Sequence, residues 1–114
     1  MDANWRLLGE PLVGLDRAGF YESYLERLIA LTSPDDAQLP DYQFRLGDLL
    51  TERHRYWNLR ARSHDEPIFR AEQAKDSSRA AAERAAQERE QQQAAEALRQ
   101  AVERFLAAAK HLRY

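Results

Sequence analysis

From residue 16 onward, apolar residues recur every three or four positions with polar residues between them, and breaks in that rhythm divide the chain into helices. Tyr21, Tyr24, Leu25, Leu28 and Leu31 share one face of a first helix, predicted over about 16–32. Asp16 is placed to cap it, since a carboxylate there accepts from free amides of the first turn. Ser33 and Pro34 end it. The stretch SPDDAQLP carries two prolines and two adjacent aspartates, so it reads as a loop. Pro40 and Asp41 suit the first turn of a second helix, predicted over about 41–63. Its inward side is read as Tyr42, Leu46, Leu49, Leu50 and Trp57. Pro67 opens a third helix, predicted to run to about 112, with Asp65 or Glu66 near its cap. A joint at Lys75-Asp76-Ser77-Ser78, near 76–78, is expected in it, because Asp76, Ser77 and Ser78 can bond to nearby backbone and cap a new start. Residues 1–14 read as a loop or short turn, with Trp5, Leu7 and Leu8 tacked onto the core. No segment alternates as a strand does. The expected fold is all-α: an antiparallel helical hairpin plus a long C-terminal helix with coiled-coil-like packing.

The distribution of residue types sharpens this picture. All four glycines and all four prolines lie at or before Pro67, and nine of the eleven aromatics lie before residue 70. An aromatic, N-terminal core and a long C-terminal helix are therefore expected. Two parts follow: 1–66, a helical core with an N-terminal loop, and 67–114, an Ala/Glu/Gln/Arg-rich helix within the same domain or projecting as an arm. In that helix Ala95, Leu98, Val102, Phe105, Ala109 and Leu112 alternate spacings of three and four, a seam suited to another helix. It either folds back on the first two helices or meets a partner chain. QEREQQQ, 87–93, has no apolar residue and is expected to be exposed on every side. The ionic pairs Arg79/Glu83, Arg84/Glu88 and Arg99/Glu103 put the base first, the weaker order on a helix.

Length and charge bound the function. A chain of 114 residues buries a core without staples. The absence of cysteine excludes a disulfide framework and a zinc–thiolate site. No run approaches the roughly 18 apolar residues of a membrane span, and no secretory leader is visible. A soluble, cytoplasmic protein is expected. Net charge is −2, divided as −4 over 1–66 and +2 over 67–114, so no global field attracts nucleic acid.

Residues 39–60, LPDYQFRLGDLLTERHRYWNLR, carry Pro-Asp, an aromatic, Arg-Leu-Gly and a leucine pair in that order. The order resembles the first helix of a bacterial tetratricopeptide (TPR) repeat. Leu46 and Gly47 match the family's Leu-Gly pair, where glycine lets a partner helix approach closely; Leu50 stands where an aromatic is usual. The preceding LERLIALTSPDDAQLP is similar to the end of one repeat running into the next. The resemblance covers one helix and its lead-in, and no self-similarity at about 34 residues extends along the chain. It implies TPR-like packing, a protein-binding scaffold and no enzyme activity.

The most chemically pointed stretch is TERHRYWNLRARSH, 51–64. On a helix, Arg53, Tyr56 and Arg60 line up, with Arg55 and Arg62 in a neighbouring row. Arginines beside a stackable aromatic are the parts of a nucleic-acid surface. Four of them on an acidic chain supply few phosphate contacts, so the row is read first as the outer face of a scaffold helix open to an anionic partner. His54, His64 and His111 show no converging ligand spacing, and His64-Asp65-Glu66 reads as a helix boundary, so no metal is expected. Asp35 and Asp36 sit in a loop, where capping and solubility explain them. No nucleophile elbow or phosphate loop is present, and neither catalysis nor a cofactor is expected. The function read from the sequence is a non-catalytic helical interaction or assembly module. Its partner is another protein or a second copy of the chain, and not a membrane. The candidate partner seam is Leu98, Val102, Phe105 and Leu112. The alternative is a small nucleic-acid-binding regulator using Arg53, Arg55, Tyr56, Arg60 and Arg62.

Overall fold

The computed structural model describes residues 15–112, and of their side chains those of 19–111. The fold is all-α. Among the described residues four helices follow one another: α1, Leu15–Leu31; α2, Leu39–Arg62; α3, Asp65–Gln73; and α4, Ser77–Leu112. There is no strand among the described residues, and none of their helices is long and apolar enough to cross a membrane. Trp5, Leu7 and Leu8 lie outside the described residues. Asp16 falls inside the described part of α1, and its side chain, like that of Leu112, lies outside them.

The described residues divide into two compact units, 15–50 with 100–112, and 51–99. The division falls inside α2 and inside α4.

The first unit is built on Leu25 of α1, Leu46 and Leu50 of α2, and Ala101 of α4, with Leu28, Ile29, Leu49 and Phe105 packed against them. Leu46 is wholly buried, at 0% exposure. Among the described residues the aromatic core expected here is not what forms. Phe20, Tyr21, Tyr24 and Phe44 are exposed, as is Leu31 at 85%. The inward face of α1 is centred on Leu25, which turns Tyr21, Tyr24 and Leu31 to its edges. Tyr21 and Tyr24 stack on each other, 6.3 Å between centroids. Gly47 explains why α2 and α4 come so close: a Cβ built there would stand 2.6 Å from Phe105 Cε1. Phe105 is held in turn by an edge contact with Phe44 at 5.3 Å. Gln43, also buried, accepts from Arg104 Nη1 at 3.2 Å.

The helix ends follow local chemistry. Thr32 turns its hydroxyl back onto the Leu28 carbonyl at 2.5 Å. Asp36 Oδ1 accepts from the Gln38 amide at 2.8 Å, an Asx-type turn that starts α2 at Leu39, two residues before the expected point.

In the second unit the fully buried apolar residues among those described are all alanines: Ala61, Ala71, Ala80, Ala94 and Ala97. The expected helix over 67–112 is two helices, α3 and α4, broken at 74–76. The break has a definite construction. The Asp76 amide bonds the Ala71 carbonyl at 2.9 Å and the Lys75 amide bonds that of Glu72 at 3.1 Å. Lys75 adopts a left-handed conformation, φ 57°. This is the Schellman arrangement, with lysine in the place usually held by glycine. Asp76 then caps α4 by accepting from the Arg79 amide at 3.1 Å. One residue thus closes α3 through its amide and opens α4 through its carboxylate. Asp76→Ala is expected to cost about 1 kcal/mol, read as a lower chemical-denaturation midpoint; a change near zero would show that the cap contributes nothing.

The tract 87–93 corrects another expectation, since it is not exposed on every side. Gln87 and Glu90 are half-buried. Gln87 Nε2 donates to the Ala61 carbonyl at 2.8 Å and to Asp65 Oδ1 at 2.7 Å. Hydrogen bonds, in place of apolar burial, hold this turn of α4 inward.

A candidate interaction site on the fourth helix

Two rows run side by side along α4. The inward row is, in the second unit, Ala80, Glu83, Gln87, Glu90, Ala94 and Ala97 and, in the first, Ala101, Phe105 and Ala108, all buried or half-buried. Its spacings of three and four are those of a helix laid along a neighbour. In the second unit its contacts descend as α2 ascends. His54 Nδ1 lies 2.8 Å from the Ala94 carbonyl, Arg60 Nε 3.2 Å from Glu90 Oε2, and Ala61 bonds Gln87. The two segments therefore run antiparallel there.

The outer row carries Leu98 and Val102, singled out from the sequence, and Leu106, which was not. Val102 is 49% exposed, and Leu106 one turn later 60%. Leu98, one turn earlier on the same helix, is 44% exposed. Among the described side chains of the predicted seam, Phe105 alone packs against the hydrophobic cluster of the first unit. Large apolar residues mark a helix face, but here that face lies beside the contact face, whose apolar members are alanines apart from Phe105. A methyl group permits a closer interhelical approach than leucine allows.

The basic row of α2 is largely engaged within its own unit. Arg55 pairs with Glu52 at 3.2 Å. Arg60 pairs with Glu90 at 3.2 Å and donates to the Tyr56 hydroxyl, also at 3.2 Å. Its guanidinium lies 5.9 Å from the Tyr56 ring centroid and 6.0 Å from that of Trp57, within cation–π range. Arg53 is half-buried and Arg62 exposed. Trp57, read as an inward residue, is only half-buried and meets Tyr56 edge-on at 5.1 Å.

The histidines serve separate purposes. His54 bonds a helix carbonyl. His64 stands at the N-terminus of α3 without a side-chain cap, and its ring is enclosed by carboxylates. Nδ1 lies 2.6 Å from Glu83 Oε2 and Nε2 2.8 Å from Glu90 Oε1. The hydrogen bond to Glu83, joined by that to Glu90 and by both negative charges, raises its pKa above the ordinary 6.5 against the opposing effect of burial. Asp65 meets Gln87, and Glu66 pairs with Arg70 at 2.6 Å. The adjacent trio 64–66 therefore diverges toward three different partners. No group of three or more such side chains placed to hold a metal occurs among the described residues.

From the sequence, Glu83 was given to a pair with Arg79, and Gln87 and Glu90 to an exposed tract, so the inward row they form was missed. The available signal was their spacing, which continues the row Ala94, Ala97, Ala101 backward by threes and fours. Arg84 likewise reaches across to Glu72 of α3, and Glu83 turns to His64. No protein-family model, curated protein or solved structure matches this chain.

Proposed function

We propose that the chain is a non-catalytic helical protein–protein interaction or assembly module whose partner surface is the outer row of α4. The observation that carries this reading is the exposure of Val102 and Leu106 at 49% and 60%, on a helix whose alanine face is already used internally. Apolar side chains repeating at four-residue intervals form a stripe that another helix can bury. The TPR resemblance of 39–60 points the same way, toward a protein-binding scaffold. The basic row of α2 contributes less in this reading, because Arg55 and Arg60 are paired with acids of the same unit. A second copy is the first partner to test, since a two-fold pairing sets the same stripe against itself.

Light scattering over a concentration series supplies the test. The expected result is reversible association that is lost in Val102→Glu/Leu106→Glu, with helical content unchanged. A strict monomer at all concentrations would count against self-assembly through this stripe.

A further inference from the structure

The polar cluster of the second unit carries an inference beyond the interaction stripe. The unit's buried apolar residues are alanines, and each buries little surface. Attachment of the α2–α3 turn to α4 therefore depends heavily on polar contacts. The central one is His64. Its two ring nitrogens face two different carboxylates, Glu83 at 2.6 Å and Glu90 at 2.8 Å. These glutamates lie seven residues apart, two turns along one face of α4. Only the imidazolium has a proton on both nitrogens and can donate to both at once. A neutral ring turns a lone pair toward one carboxylate and loses that contact.

We propose that the imidazolium of His64, clamped between Glu83 and Glu90, is a proton-operated latch that closes the α2–α3 turn and α3 onto α4 and releases them as the pH rises.

The charged groups around the ring come from three helices. Glu83 and Glu90 belong to α4. Arg60 of α2 sits on Glu90's second oxygen at 3.2 Å. Asp65 of α3 is tied to Gln87, which lies between the two glutamates. Arg60 keeps its charge throughout, so His64 is the group that changes state near neutrality. The direction follows from linkage. A histidine that binds its proton more tightly in the folded state contributes stability fully below its unfolded value, about 6.5, and loses it as the pH climbs through the higher folded value. The arginine–carboxylate link between Arg84 and Glu72 also joins α3 to α4 and has no comparable switch on its cationic side.

Amide hydrogen exchange, corrected for the unstructured-chain rate, tests the latch between about pH 6 and about pH 9. Protection of the α3 amides is expected to fall several-fold over this range, while that of 39–50 stays level. In His64→Gln the α3 amides should show no such fall. Where that variant is too unstable to measure, Glu83→Gln should move the midpoint of the fall to lower pH. Level α3 protection in the wild type, an equal fall in His64→Gln, or an unmoved midpoint in Glu83→Gln would each overturn the proposal.

Discussion

Leu46→Ala is expected to destabilise the protein by about 3–4 kcal/mol, read from urea unfolding followed by circular dichroism. Leu46 has 0% exposure and sits at the centre of the cluster formed with Leu25, Leu50 and Ala101. Truncation removes three methyl or methylene equivalents from a packed site and leaves a cavity that rigid helices close only in part. Total stabilities of small domains are about 5–15 kcal/mol, so a loss of this size removes a large fraction of the whole. Leu31→Ala, at a position 85% exposed, should change stability by less than about 0.5 kcal/mol. Equal effects at the two positions would refute the assignment of the buried face.

Gly47→Ala is expected to cost about 1–2 kcal/mol, although alanine is the better helix former by nearly 1 kcal/mol. The new Cβ would lie 2.6, 2.8 and 2.9 Å from three atoms of the Phe105 ring. That ring cannot move aside without disturbing its edge contact with Phe44. The cause is separable. In a Phe105→Ala background the ring is gone, and Gly47→Ala should become stabilising by about 1 kcal/mol. A glycine substitution equally costly in both backgrounds would mean that the ring is not what excludes a side chain at position 47.

The helices and the centre of the first unit were legible in the sequence because leucine and glycine carry unambiguous signals there. Leu46, Leu50 and Gly47 stand on α2 between clear start and stop residues, and the structure places them at the core. Asp76 was legible as a joint for the same reason, since an aspartate followed by two serines caps better than it propagates. The inward face of α4 was harder to read. Alanine favours a helix whether it points inward or outward, so Ala94, Ala97, Ala101 and Ala108 gave no contrast beside Leu98 and Val102. Bulk drew attention to one row, while close packing used the neighbouring one. The cluster of His64, Glu83, Gln87 and Glu90 was hidden differently. Its residues look like a solvated face, and only the pairing of elements distant in sequence turns that spacing into a network. The left-handed turn at Lys75 gave no sign either, because it is set by the helix-end hydrogen bonds around the residue and not by lysine's own preference.

The interaction reading depends on which face of α4 meets a partner, and methyl-resolved NMR over a protein concentration series measures that directly. The methyl signals of Leu98, Val102 and Leu106 should shift with concentration, while those of Leu25, Leu46 and Leu50 stay fixed. Fixed signals at all six positions, or shifts confined to the 53–62 face of α2, would contradict the account.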